Sequence, residues 1–153
     1  MAFKASTGLR NALLDTGDLT TVLADGVLRI YSGTVPTNAD DAISGDSDML
    51  VEITDAGQAL GSGTGIDLDP NGASGGTITK DPNETWEGTN AASGTATYFR
   101  HVTQADDATS STTQERLQGA VGTSGSDLNL SSVSLSSGAT QTIDAYSVTL
   151  PTL

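Results

Sequence analysis

The chain has 153 residues, with 18 Gly, six aromatic residues, and 19 Asp plus Glu against six Lys plus Arg, for a formal charge of −13. That length is one domain, and that charge excludes proteins that neutralise nucleic-acid phosphates or adsorb to anionic membranes. Cysteine is absent, which excludes disulfides and thiolate chemistry, and Leu, Ile, Val and Phe make up only roughly one residue in five, so the core is expected to be thin and partly supported by an assembly.

The opening MAFKASTGLRNALL has no apolar run of about 7–15 residues after Lys4, so no export signal is read there and synthesis in a cytoplasm is expected. No stretch approaches the ~20 apolar residues of a membrane span. Residues 1–26 carry a helical period. Ser6 or Thr7 can cap a helix with Leu9, Ala12 and Leu13 on one face, and Gly17 stands where a left-handed residue would end it. Asp18 can cap a second helix carrying Leu19, Val22 and Leu23, stopped by Gly26. The two form a short helical hairpin, and helices under ~12 residues need packing to persist.

From Val27 onward the period is two. Strands are expected at VLRIYS (27–32), with Leu28 and Ile30 opposing Arg29 and Tyr31, then at MLVEIT (49–54), GIDLD (65–69) and TITK (77–80). Residues 33–48 are a long polar loop, while DPNG and DPNE at 69–72 and 81–84 read as turns because Pro presets φ and Asn or Gly accepts φ > 0. TATYFRHVT (95–103) is the clearest strand; a polar loop (104–114) precedes RLQGAVG (116–122), DLNLSSVSL (127–135) and TIDAYSVTL (142–150). About eight strands joined by Gly-Ser turns point to a mainly β fold, an antiparallel β-sandwich or barrel over 27–153 preceded by the hairpin of 1–26.

Motifs with chemical potential are few. His101 is the lone histidine, lies in a strand pattern, and has no G-x-S-x-G elbow to serve. GSGTG (61–65) offers backbone amides without the Lys-Ser of a phosphate loop. Asp67, Asp69 and Asn71, ahead of Gly72, match the first half of a calcium loop, but Ile78 stands where a bidentate Glu belongs. Glu84 and Glu87 flank Trp86; a glycosidase would need an aromatic cleft around such a pair, so Trp86 is expected as a buried anchor. No enzyme activity and no cofactor are expected.

The order STGLRNALL, DGVLRIYSGTVPTNADDA, ETWEG, SGTATYFRHVTQADD, GAVGTSGSDLNLSS and ATQTIDAYSVTLP resembles a widespread family of small virion proteins of tailed bacteriophages, over nearly the whole chain. The resemblance implies a β-sandwich-like virion protein and, among small acidic β proteins of such particles, a capsid decoration (cement) protein. Its partners would be the major capsid protein and sister copies on the capsid surface, as a homo-oligomer, with no nucleic acid and no membrane. The first 26 residues would serve as an arm offering Phe3, Leu9, Leu13 and Leu14 to a partner. A tail or neck component is the alternative of the same class. A carbohydrate- or receptor-binding module is the alternative of another class, and it would need Tyr31, Trp86, Tyr98 and Tyr146 exposed for stacking.

Overall fold

The computed structural model describes residues 3–152. In chain order the elements are β1 (Lys4–Ala5), α1 (Thr7–Asp15), α2 (Leu19–Val22), β2 (Val27–Tyr31), β3 (Met49–Asp55), β4 (Thr77–Thr79), β5 (Trp86–Thr89), β6 (Gly94–Thr95), β7 (Tyr98–Val102), β8 (Arg116–Gly122), β9 (Leu128–Asn129), β10 (Ser134–Leu135), β11 (Thr140–Thr142) and β12 (Ser147–Thr149). The fold is mainly β, as expected. Eight strands form the main sheet in the order β1-β8-β7-β2-β3-β5-β11, with β9 joined to β8 in parallel and all other pairs antiparallel. The sheet does not close, which excludes the barrel. Two small ladders, β6–β10 and β4–β12, complete the β structure.

The period of two gives the central strands β2, β7 and β8 two faces of different chemistry. On one face the registers align Ile53, Leu28, His101, Leu117 and Ala5 across five strands, and beside them Val51, Ile30 and Phe99. This face joins Trp86, Tyr146, Leu9, Leu23 and Leu128 in the core. On the other face the same registers align Glu52, Arg29, Arg100, Gln118 and Lys4, a polar row running across β3, β2, β7, β8 and β1.

That polar row explains how a long loop without any period is held. Gln118 donates to the carbonyl of Pro36, Lys4 to that of Thr37 and Arg100 Nη2 to that of Asp41, each at 2.8 Å, and Arg116 Nη1 reaches the carbonyl of Ala39 at 3.3 Å. A loop buried against a sheet must find donors for its carbonyls, and these long side chains supply them. Arg116 also pairs with Asp106, and Arg29 bonds Glu52 at 2.7 Å and the Asp106 carbonyl at 2.7 Å, so the second polar loop is fastened by the same residues. Covered in this way, every residue of β7 is buried on both faces, including Arg100.

Several expectations change in detail. TATYFRHVT breaks at Ala96–Thr97, because the amide of Ala96 bonds Val133 while that of Thr97 turns to Tyr31, carrying the chain from the β6–β10 ladder into the main sheet. GIDLD forms isolated bridges instead of a strand: Asp67 N–H donates to the Glu84 carboxylate, so a side chain takes a donor that a ladder would use. DLNLSSVSL and TIDAYSVTL each divide into two short strands, and β1 and β5 form where no strand was expected. Both DPN turns are present, closed by bonds from Gly72 N–H to the Asp69 carbonyl and from Glu84 N–H to that of Asp81.

The helical hairpin forms with the expected caps: Ser6 accepts from Leu9 N–H and Asp18 from Thr21 N–H. Its glycines are not the left-handed residues. Asp25 takes that role at φ 52°, held there by its carboxylate, which accepts from the amides of Gly63 and Gly65. Nor does the hairpin stand apart from the sheet as an arm. Lys4 and Ala5 pair with Gln118 and Leu117, Ser6 is buried against Arg116, and Leu9 and Leu23 sit in the same core as the strands.

Candidate functional site

Most of the residues singled out for chemistry are committed to the fold, while Glu87 lies half-buried on β5. His101 has no exposed surface and packs edge-on to Trp86 at 5.9 Å and to Tyr146 at 5.6 Å. Burial lowers its pKa to about 3, so at neutral pH the ring has almost no affinity for the proton a general base must take. In GSGTG, the amides of Gly63 and Gly65 are already bound by Asp25 and that of Gly61 by Gln104 at 2.8 Å, so the loop's anion cradle holds carboxylate and carboxamide oxygens of its own chain.

The calcium reading of Asp67, Asp69 and Asn71 is not supported by the geometry. Asp67 accepts from Asp25 N–H at 2.8 Å, and Asp69 accepts from both nitrogens of Asn71, closing the turn on itself. Among the described residues no group of three His, Cys, Asp or Glu side chains is placed to hold a metal ion. Glu84 accepts from the Trp86 indole N–H at 2.8 Å and from Asp67 N–H; desolvation, followed by the neighbouring Asp67 and Asp55 charges, raises its pKa despite those bonds. Trp86 is the core anchor expected of it, and Tyr31, Tyr98 and Tyr146 are buried as well. The four aromatics that sugar stacking would require are therefore inside the protein.

Among the described residues, a mainly apolar groove of about 930 Å³ is open at the surface. One wall is the helical hairpin, with Leu13 and Leu19; the other is the β4–β12 ladder, with Ile78, Val148 and Leu150. Phe3, Ala5 and Leu117 close it at the edge of the main sheet. Three of the four expected contact residues meet here, and they divide by exposure. Leu13 is 40% exposed on the rim, Phe3 is half-buried with its ring against Phe99 and Tyr146, and Leu9 is fully buried beneath, so Leu9 supports the groove and is withdrawn as a contact. Leu14, 84% exposed, does not line it. The second wall was not legible in the sequence: Leu150 ends a strand pattern 137 positions beyond Leu13, and only the β4–β12 pairing sets it opposite the hairpin.

The groove is apolar inside and acidic at its margin. Asp18 and Asp127 line it, and no Lys or Arg does. Bonds from the Thr20 hydroxyl, and then from Thr21, hold the Asp18 carboxyl below the usual carboxylate range, and Asp127 accepts from Ala120 N–H at 2.9 Å. No protein-family model, no curated protein and no solved structure matches the chain.

Proposed function

We propose that the chain is a structural protein of a tailed-bacteriophage particle, a decoration protein that binds the outside of the shell across neighbouring major capsid subunits and stabilises it. The observation that carries this reading is the division of the molecule's chemistry. His101, the GSGTG amides and the Glu84 carboxylate are engaged within the fold, and a mainly apolar groove lies open at the surface. A protein whose work is to bridge subunits needs a rigid body and a contact surface, with no reactive group at that surface. The whole-chain resemblance to tailed-phage virion proteins supplies the particle. The acidic exterior fits a body that stays dispersed before assembly, because like charge opposes random association. A tail or neck position is the second reading, since short-stranded β bodies suit rings as well as shells.

The test is immunogold electron microscopy of purified particles from cells carrying the gene, with antibody raised against the purified chain. Label distributed around the shell is the expected result. Label confined to the tail or neck would favour the second reading, and unlabelled particles that also lack the chain by mass spectrometry would sink both.

A further inference from the structure

We infer that the groove between the helical hairpin and β12 seats an extended apolar segment of the partner protein flanked by lysine or arginine, an inference that rests on the proposed structural role and names the chemistry of the partner. Three independent features of the groove define the occupant. Its interior is apolar and its volume of about 930 Å³ is large enough for several side chains. The exposed leucines at its rim, Leu13 at 40% and Leu150 at 76%, are two of the few large apolar side chains at the surface, and they face the same space from opposite walls.

The backbone around the groove favours an extended occupant. β1 and β12 both border it, and among the described residues each is paired along one edge only, β1 with β8 and β12 with β4. A strand with one open edge presents unpaired amides and carbonyls that a second extended chain can bond. Alternate side chains of such a segment would enter the apolar interior, and the others would point to solvent.

Charge selects among extended segments. The margin carries Asp18 and Asp127, and none of the six cations of the chain lines the groove. Five of those cations face inward or lie along the fold: Lys4, Arg29, Arg100 and Arg116 fasten the two polar loops, and Lys80 bonds the Glu84 carbonyl and sits 5.5 Å above the Trp86 ring. The sixth, Arg10, is exposed on α1 and bonds Thr7 outside the groove's lining, so the groove itself presents two carboxylates and no cation. A second copy of the chain would bring a formal charge of −13 against it, whereas a Lys- or Arg-flanked segment is drawn in and held.

The experiment measures fluorescence anisotropy of two labelled synthetic peptides against the purified full chain, KKVTVTVKK and its counterpart EEVTVTVEE. The lysine-flanked peptide is expected to bind at least roughly tenfold more tightly than the glutamate-flanked one. The double variant Asp18→Asn/Asp127→Asn keeps both amide-accepting side-chain oxygens, including the helix cap, and should weaken the lysine peptide by about fivefold and flatten its salt dependence. The variant Leu13→Ser/Leu150→Ser changes only exposed positions, retains the fold, and should weaken binding roughly tenfold, which separates seating in the groove from general attraction to an acidic surface. No binding of the lysine peptide, equal binding of the two peptides, or equal affinity for wild type and the leucine variant would each overturn the inference. Equal retention of wild type and the leucine variant on particles would overturn it too. If the wild-type peptide result holds while the chain is found on no particle, the virion role fails and the groove assignment stands.

Discussion

His101 illustrates how burial, more than residue type, sets what a side chain can do. Its place on the apolar face follows from the register with Leu28 and Leu117, and the ring's Nδ1 lies 3.3 Å from the Tyr146 hydroxyl. Nε2 has no hydrogen-bond partner among the described residues, and a Cβ on Gly26 would lie 3.2 Å from it, so the backbone approaches closely there. With the folded pKa depressed to about 3 and an unfolded value near 6.5, the unfolded chain binds this proton first as pH falls. The contribution is therefore full above roughly pH 6.5 and is lost progressively toward pH 3, by about 1.4 kcal/mol per pH unit within that window. Between pH 7 and pH 5 the wild type is expected to lose stability that His101→Phe, which keeps an aromatic ring in the cluster, does not lose. Denaturant unfolding of both proteins at the two pH values checks this, and identical pH slopes would show that His101 is not the titrating group.

At the scale of elements, the N-terminal hairpin is the part whose place the structure redefines. Gly8 lies so close to the backbone of Thr113 and Gln114 that a Cβ would come within 2.5 Å of it, so α1 is docked on the second polar loop at a position only glycine fits. Thr7 adds two bonds to the Asp40 carboxylate at 2.7 Å, tying the helix to the first polar loop as well. β1 completes the edge of the main sheet, and Leu9 fills core beneath the groove. Deleting residues 1–16 is thus expected to unfold the chain, and Leu9→Ala to destabilise it by about 2–5 kcal/mol through lost burial and the cavity left behind. Circular dichroism and urea unfolding read both. A truncated chain that unfolds with the wild-type midpoint would return the hairpin to the status of a separate arm.

Across the whole molecule, four of the six cations, Arg29, Lys80, Arg100 and Arg116, are buried or half-buried, while Asp106 is the one buried carboxylate among the described residues. Arg100 and Arg116 have no exposed surface, and the ion pairs of the described residues all involve Arg29 or Arg116 with Glu52, Asp106 or Asp107. Buried guanidinium groups are costly unless bonded, and here the loop carbonyls, Gln118 and Asp106 provide most of the bonds, Arg100 Nη1 having no partner among the described residues. The remaining carboxylates repel one another across the surface. Screening should therefore stabilise the protein: raising NaCl from about 0.02 M to about 0.3 M shortens the reach of surface repulsion but leaves buried pairs nearly unaffected. The melting temperature is expected to rise over that range, and a fall would mean that surface ion pairs outweigh net repulsion.

The sequence by itself determined the class of fold and the nature of its surface. Strong alternation in VLRIYS, MLVEIT and RLQGAVG placed β2, β3 and β8 within a residue or two, and Ser6 and Asp18 marked both helix starts, because caps and strand period are local properties of a few neighbouring residues. It also marked Trp86 as a buried anchor, which its place in the core bears out. Tertiary structure alone decided the rest. β5 was missed because WEGT is only four residues long and has Gly88 at the inward position after Trp86, and it forms because β3 and β11 pair with it from both sides. The polar face of the sheet was unreadable because the donors of Arg100, Arg116, Gln118 and Lys4 meet carbonyls 33 to 82 positions away. The groove was unreadable for the same reason: its walls come from the beginning, middle and end of the chain, and contacts between distant residues exist only once the strands that join them have paired.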